Sequence, residues 1–332
     1  MRKNIALLFI VLFSISVFIS CGKKDGNSTL PAKFDLSYKF SKGDKFKYKL
    51  TTITTSEESI QADSTMHAKS VQTDAYVMEF EVIDVDADKI AEMNVNFTTM
   101  KVDADANGQK ISFDASKNPS KEDQQKFWQY YIQYQVPFRA RINSKGEVIE
   151  VSRLDKMIDR MNSLQPQKRE LSAPEKVKLS QELGESVIRP LTQLVFRELP
   201  QKQMSKDSSW QKVYPSQLSV FKIMNTAVYK VENLTKVDGD NIINIGVSLN
   251  INWQGEKKGQ QQGIKFDFDD PKVSGNGSVT FNYDKGLVSK SETSTTVELV
   301  ARIEGINAMK KAVKTVRKDL STNKNIIELL PE

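Results

Sequence analysis

Cys21 is the one thiol in the chain, and its surroundings suit acylation rather than catalysis. Arg2 and Lys3 open the sequence with positive charge. Ile5 to Ile19 is then apolar, broken only by Ser14 and Ser16. Phe18-Ile19-Ser20-Cys21 sets bulky, apolar and small residues before the thiol. That order is expected of a secretory signal peptide ending in a lipobox. The expectation is a signal over residues 1–20, cleavage before Cys21, and acyl chains on its sulfur. An acylated cysteine is no nucleophile. His67 is the single histidine, which excludes a histidine triad and a multi-histidine metal site. It lies in a Ser/Thr-rich stretch and reads as an exposed bystander.

Carboxylate chemistry survives that filter. Asp84, Asp86 and Asp88 form one cluster; Asp267, Asp269 and Asp270 beside Pro271 form another. A calcium loop counted from Asp84 needs Gly at its sixth position and Glu at its twelfth. Lys89 and Val95 stand there, so the pattern fails. Acidic turns between strands account for both clusters. A glycosidase pair far apart in the chain remains an alternative. Gly275-Asn276-Gly277 lacks the strand-before, helix-after setting of a phosphate loop. Trp128, Trp210 and Trp253 are candidate ligand-binding residues, since sugars stack on exposed aromatic faces. No metal, cofactor or catalytic residue is expected, and the protein is expected not to be an enzyme.

The chain has 332 residues, and removing the signal leaves about 312, enough for two ordinary domains or one large β domain. Hydrophobic residues make up 39% and charged residues 27%, which suits a globular body. Net charge is +6; Arg2 and Lys3 supply two of these, leaving +4 after cleavage. Basic residues alternate with acidic ones and form no block, so nucleic acid is not an expected partner. No later apolar stretch reaches the length of a membrane helix. With one cysteine, stability must come from buried apolar area instead of internal disulfides.

The elements that would position these residues are mostly strands. Phe34, Leu36, Tyr38 and Phe40 alternate with polar residues, and Phe46, Tyr48 and Leu50 resume after Ser41-Lys42-Gly43-Asp44. Tyr76, Met78, Phe80, Val82 and then Met93, Val95, Phe97 repeat the pattern. Thr51 to Thr73 reads as long exposed strand ends or a mobile loop. The middle is helical. Phe127, Tyr130, Tyr131 and Tyr134 share one face of a helix over residues 121–134. Leu154, Met157, Ile158, Met161 and Leu164 share another, with Ser152 as its start. Ser172-Ala173-Pro174-Glu175 has the form of a capping box. Pro190 is expected to kink or end that third helix, with a short piece following over residues 191–199. Strands return with Ala227–Leu234, Ile243–Trp253, Val279–Tyr283 and Val297–Ile303. Gly255–Gly263 reads as a loop. Ile306–Leu320 is ambiguous: the spacing of Met309, Val313, Val316 and Leu320 favours a helix, while Ala312-Val313 and Thr315-Val316 also suit an edge strand. The expected core includes Phe46, Tyr48, Phe80, Val95, Phe97, Leu154, Ile158, Ile245, Val247, Leu249, Phe281 and Leu299.

Two stretches occur twice in the same order. Glu81–Ile90 resembles Val231–Ile242, each a strand, an acidic turn and a strand. Asn143–Glu150 resembles Tyr283–Lys290, each a hairpin with Lys-Gly at its turn. Two related β units, the first followed by helices, or ordinary likeness between hairpins, would each account for this. Beyond the echo, Tyr38-Lys39-Phe40-Ser41-Lys42-Gly43-Asp44-Lys45-Phe46-Lys47-Tyr48 resembles the opening of an uncharacterised family of bacterial envelope lipoproteins. Val136–Ile142, Lys145-Gly146-Glu147-Val148 and Leu154-Asp155-Lys156-Met157 are similar to that family's central segment. Leu199-Pro200 and Ser208-Ser209-Trp210 are similar to a later element, although Asp207-Ser208 replaces the family's usual Gly-Asp before Ser-Trp. The resemblance implies location and fold, and no catalytic residues.

The expected fold is α+β and mainly antiparallel β: a curved sheet or open barrel of two related units, with central helices packed on it. The expected organisation is a signal (1–20), a flexible lipid-anchored tether (21–32), an N-terminal β unit with the helices (33–200) and a C-terminal β unit (201–332). The expected function is a non-catalytic lipoprotein held at a bacterial envelope membrane, with the outer membrane favoured. It would bind an apolar or amphiphilic ligand or an envelope partner. A surface glycan-binding lipoprotein and, behind it, a carboxylate hydrolase are the alternatives. Two of the three tryptophans exposed on one flat face would favour the glycan reading.

Overall fold

A computed structural model describes residues 26–62, 64–165, 170–218, 221–261, 264–306 and 312–331. Cys21 and the signal lie outside the described residues, as do residues 307–311. Alternation of apolar and polar residues builds one antiparallel sheet of fifteen strands. In chain order the strands are β1 (Gly26–Asn27), β2 (Lys45–Gln61), β3 (Thr65–Val85), β4 (Ala91–Ala106), β5 (Gln109–Asp114), β6 (Phe138–Ile142), β7 (Val148–Ser152) and β8 (Ser209–Leu218). They continue with β9 (Phe221–Val237), β10 (Asp240–Gln254), β11 (Lys258–Gln261), β12 (Ile264–Phe268), β13 (Lys272–Asn282), β14 (Leu287–Ile306) and β15 (Ala312–Leu329). The helices are α1 (Lys121–Lys126), α2 (Trp128–Tyr131), α3 (Asp155–Leu164), α4 (Ala173–Leu183) and α5 (Arg189–Val195).

The sheet is open and curved, in the order β1-β9-β10-β13-β14-β15-β2-β3-β4-β6-β7. Two meanders of equivalent course make it up. β2-β3-β4-β6-β7 forms one, with β5, α1 and α2 inserted after β4. β8-β9-β10-β13-β14 forms the other, with β11 and β12 inserted after β10. β15 joins the two by pairing with both β14 and β2, so the sheet runs on across the expected boundary at residue 200. The echoed segments occupy matching places. In the β3–β4 and β9–β10 hairpins the leading strand carries an extra residue, Ile83 in β3 and Glu232 in β9. In the β6–β7 and β13–β14 hairpins the extra residue stands three places after the turn glycine, Ile149 in β7 and Ser289 in β14.

The two turn glycines close on one extended strap. Tyr38 N–H donates to Ser144 O at 2.8 Å, and Lys39 N–H donates to Gly286 O at 3.3 Å. Gly146 (φ +84°) and Gly286 (φ +64°) have no room for a side chain. A Cβ would lie 2.4 Å from Tyr38 Cε2 in the first and 2.5 Å from Lys39 N in the second. Residues 26–32 of the expected tether are also docked: β1 pairs with β9, and Ser28 and Thr29 hydrogen-bond Asn241.

The main core lies between the strap, the helices and the first meander. Phe196, just after α5, sits in a ring of Tyr38, Phe40, Phe46, Tyr48 and Phe80, with centroids 5.3–6.5 Å away. Ten of the twelve expected core residues are buried; Val247 and Leu249 are only half-buried. Leu299 is buried in a separate small cluster with Phe221 and Ile223.

Four local expectations need correction. Residues 312–320 are strand, because β14 and β2 supply hydrogen bonds on both sides; the helical spacing of Val313, Val316 and Leu320 was incidental. Gly255–Gly263 contains β11, whose Gly259 is covered by the Phe266 ring of β12. The helix over 121–134 breaks into α1 and α2 at Phe127. Leu154 rather than Ser152 caps α3. The Ser172–Glu175 capping box is present. Pro190 falls in the first turn of α5, after a π-helical turn over Gly184–Ile188 absorbs its missing donor.

Candidate functional site

The sheet has two chemically distinct faces. The outer face carries cross-strand ion pairs: Lys47–Glu79 at 2.6 Å, Lys45–Glu81 at 3.0 Å, Lys324–Glu292 at 2.6 Å and Lys272–Glu298 at 2.8 Å. A membrane barrel needs an apolar outer band, so this face is built for water. The inner face is buried under helices over part of the first meander, where α2 packs on β4 and α5 on β7.

Over the second meander the inner face is mainly apolar, with Asn225, Thr293 and Thr295 interspersed, and much of it is half-exposed. Tyr229 on β9, Val247, Leu249, Ile251 and Trp253 on β10, and Val297 and Ile303 on β14 are all half-buried and point to that side. Gly275 and Gly277 of β13 lie between them, with their neighbours drawn inward. A Cβ on Gly275 would lie 2.8 Å from Leu249 Cβ, against about 4.5–5.5 Å between facing residues of a flat sheet. The strands therefore approach one another closely along this line. At the far end Phe268 of β12 meets Phe221 of β9, ring centroids 5.3 Å apart, and Trp253 meets Phe221 at 5.2 Å. The result is an apolar trough, closed at its far end by aromatic rings.

A polar stripe runs beside it. Thr52 donates to Asn325 (2.8 Å), Asn325 to Asn323 (2.8 Å) and Asn323 to Thr54 (3.1 Å), linking β2 and β15 on the inner face. Next to it on β3, the buried Asp74 accepts hydrogen bonds from Tyr130 Oη (3.1 Å) and Gln72 Nε2 (3.0 Å). Burial raises the Asp74 pKa above the ordinary carboxylate value and outweighs those two hydrogen bonds. Burial, and then the Asp74 charge, push the Tyr130 phenol up to about 12.

At the near end of the trough lies Arg197. Its Nε and Nη2 donate to Ser291 Oγ at 3.3 and 3.0 Å, and Ser291 is 1% exposed. Trp210 stacks on Tyr229 with centroids 5.0 Å apart, and its Nε1–H donates to Glu198 O at 3.3 Å. Burial raises the Tyr229 phenol pKa, and Arg197 is the largest influence holding it down.

The three candidate tryptophans are not gathered together. Trp128 is 41% exposed on α2. Trp210 and Trp253 are half-buried on the inner face of the second meander, separated by the run from Trp210 to Ser216, about 20 Å of strand. No flat platform of tryptophans forms. His67 is exposed on β3, beside a shallow outer-face depression with Glu57, Lys69 and Lys318. Most acids of the two clusters pair with basic neighbours: Asp84 with Lys42, Asp86 with Arg141, Asp267 with Lys258, Asp269 with Arg302 and Asp270 with Lys257. Among the described residues no group of acids and histidine is placed to hold a metal ion.

Residues 88–288 match a family of unknown function (DUF6263). The chain belongs to this family. No curated protein sequence matches it. Among solved structures it is similar to one described as lipid–protein interactions in lipovitellin, at 9% identity and TM-score 0.44 over 88% of this chain and 26% of that one. This chain thus spans about a quarter of that protein. It is also similar to OpdK of Pseudomonas aeruginosa with vanillate, at 8% identity and TM-score 0.18 over 83% of this chain and 98% of that one. OccK7 (OpdD) of the same organism aligns at 5% identity and TM-score 0.21, over 87% and 99%. None of these alignments reaches a TM-score at which two chains share an overall fold.

Arg197 and Asp74 were both missed by sequence reasoning. Asp74 left a signal, since it alternates in phase with Tyr76 and Met78 and so had to share their inward face. Arg197 left none; it follows a helix, and only the tertiary fold brings it over β14.

Proposed function

We propose that the protein is a non-catalytic lipoprotein, held at a bacterial envelope membrane by acyl chains on Cys21, that carries an apolar or amphiphilic ligand in the trough of its second meander. The observation that carries the binding part is the run Val247, Leu249, Ile251 and Trp253. These apolar side chains of β10 alternate inward and stay half-exposed, on a face that no helix among the described residues covers. An apolar surface of this kind gains free energy from any partner that removes it from water. The anchoring part rests on the lipobox.

The test is extraction of lipid from the whole chain purified out of membranes, with intact mass spectrometry of its N-terminus. The expected outcome is a co-purifying lipid that the variant Leu249→Asp loses, and acyl mass on Cys21. A protein that carries no lipid and is unchanged by Leu249→Asp would overturn the carrier reading; an unmodified N-terminus would overturn the anchor.

A further inference from the structure

The trough has a charged end. Arg197 brings a guanidinium to the boundary between the buried core and the half-exposed apolar wall. Among the described residues it has no acidic partner. Its side-chain hydrogen bonds all go to one neutral hydroxyl, Ser291 Oγ, which leaves donors of the five-donor fork unused. The carboxylate next to it in sequence, Glu198, is committed to Lys212. Arg302 pairs with Asp269, Arg189 with Glu185 and Arg317 with Glu58, and the guanidinium of Arg160 is taken up by the carbonyls of Tyr131 and Tyr134. A guanidinium that is half-buried beside Tyr229 and lacks a counter-charge is complementary to an anionic group. From Val247 to Trp253 the apolar wall continues for six residues, about 20 Å of strand.

We propose, building on the carrier reading, that the ligand is a long-chain carboxylate of the fatty-acid class. Its carboxylate pairs with Arg197 over Ser291, and its acyl chain lies along Val247, Leu249, Ile251 and Trp253. The Thr52–Asn325–Asn323–Thr54 stripe keeps the other flank of the trough hydrated.

A photoactivatable diazirine analogue of palmitate, irradiated with the whole chain in its membrane, tests this. Label is expected on inner-face residues of β9, β10 or β14. Oleate should compete it away and oleyl alcohol should not. Arg197→Gln should lower the labelling about tenfold or more, the loss expected of one charge-assisted pair, and Arg197→Lys should restore part of it. Equal competition by acid and alcohol, or full labelling of a folded Arg197→Gln chain, would overturn the head-group assignment and leave the apolar site standing. Absence of label from the second meander would sink both. If Arg197→Gln does not fold, the acid-against-alcohol competition on the unaltered chain decides.

Discussion

The first and second meanders follow the same course through the sheet and share extra residues at two matching hairpins, yet their inner faces end differently. The first is roofed: α2 lies on β4 and α5 on β7, and Phe80, Val95 and Phe97 are buried beneath. Among the described residues no helix follows β14, where β15 pairs instead, and the equivalent rows of the second meander stay half-exposed. The lesson is that one strand arrangement yields a core or a binding surface depending on what the next stretch of chain supplies. The helices consume apolar area in the first half that the second half leaves available.

Substitutions can break or sharpen this contrast. Phe196→Ala removes the ring about which the roofed half is packed, and should cost about 3–5 kcal/mol in denaturant unfolding. Gly146→Ala and Gly286→Ala test whether the two halves are equivalent where they hold the strap. Each forces a positive φ on a side chain, worth about 1–3 kcal/mol, and adds a collision with Tyr38 or Lys39. Similar losses of thermal stability are expected; a large loss from only one glycine would show that one hairpin does the holding. Leu249→Ala in the bare half should cost only about 1–2 kcal/mol, because part of the side chain already meets water. A loss as large as that at Phe196 would mean the trough is packed like core.

Asp74→Asn probes the edge of the roof. The native carboxyl holds its proton above the pH at which the unfolded chain releases it. Its contribution to stability is therefore greatest at low pH and falls as pH rises through the raised native value. The asparagine variant should lack this fall, so the difference between the unfolding curves of the two proteins should vary with pH across that window and be flat above it.

Much of the contrast was written in local pattern. Period-two alternation marks β2, β3, β4 and β10 because one face of each meets apolar neighbours, and Ser172–Glu175 marks a helix start because capping chemistry is local. β15 was misread because helical and strand spacing coincide at Val313, Val316 and Leu320, and only its two neighbouring strands decide between them. Leu249 has the residue type and phase of core. Its half-exposure follows from what the tertiary fold sets over it, where no helix among the described residues packs, and no local window contains that. The tryptophans carried a chemical suggestion without a geometric one, and Arg197 carried neither until the strap and α5 set it over Ser291.

The strap has a mechanical consequence. Tension arriving from the N-terminal side would first load the pairing of β1 with β9, the Ser28 and Thr29 bonds to Asn241, and the paired backbone bonds of Phe34 and Met204. Only then would it reach Tyr38 and Lys39, whose backbone bonds to Ser144 and Gly286 belong to different meanders. The outer contacts would act as a fuse, giving way before the two turns and the sheet curvature between them felt the pull.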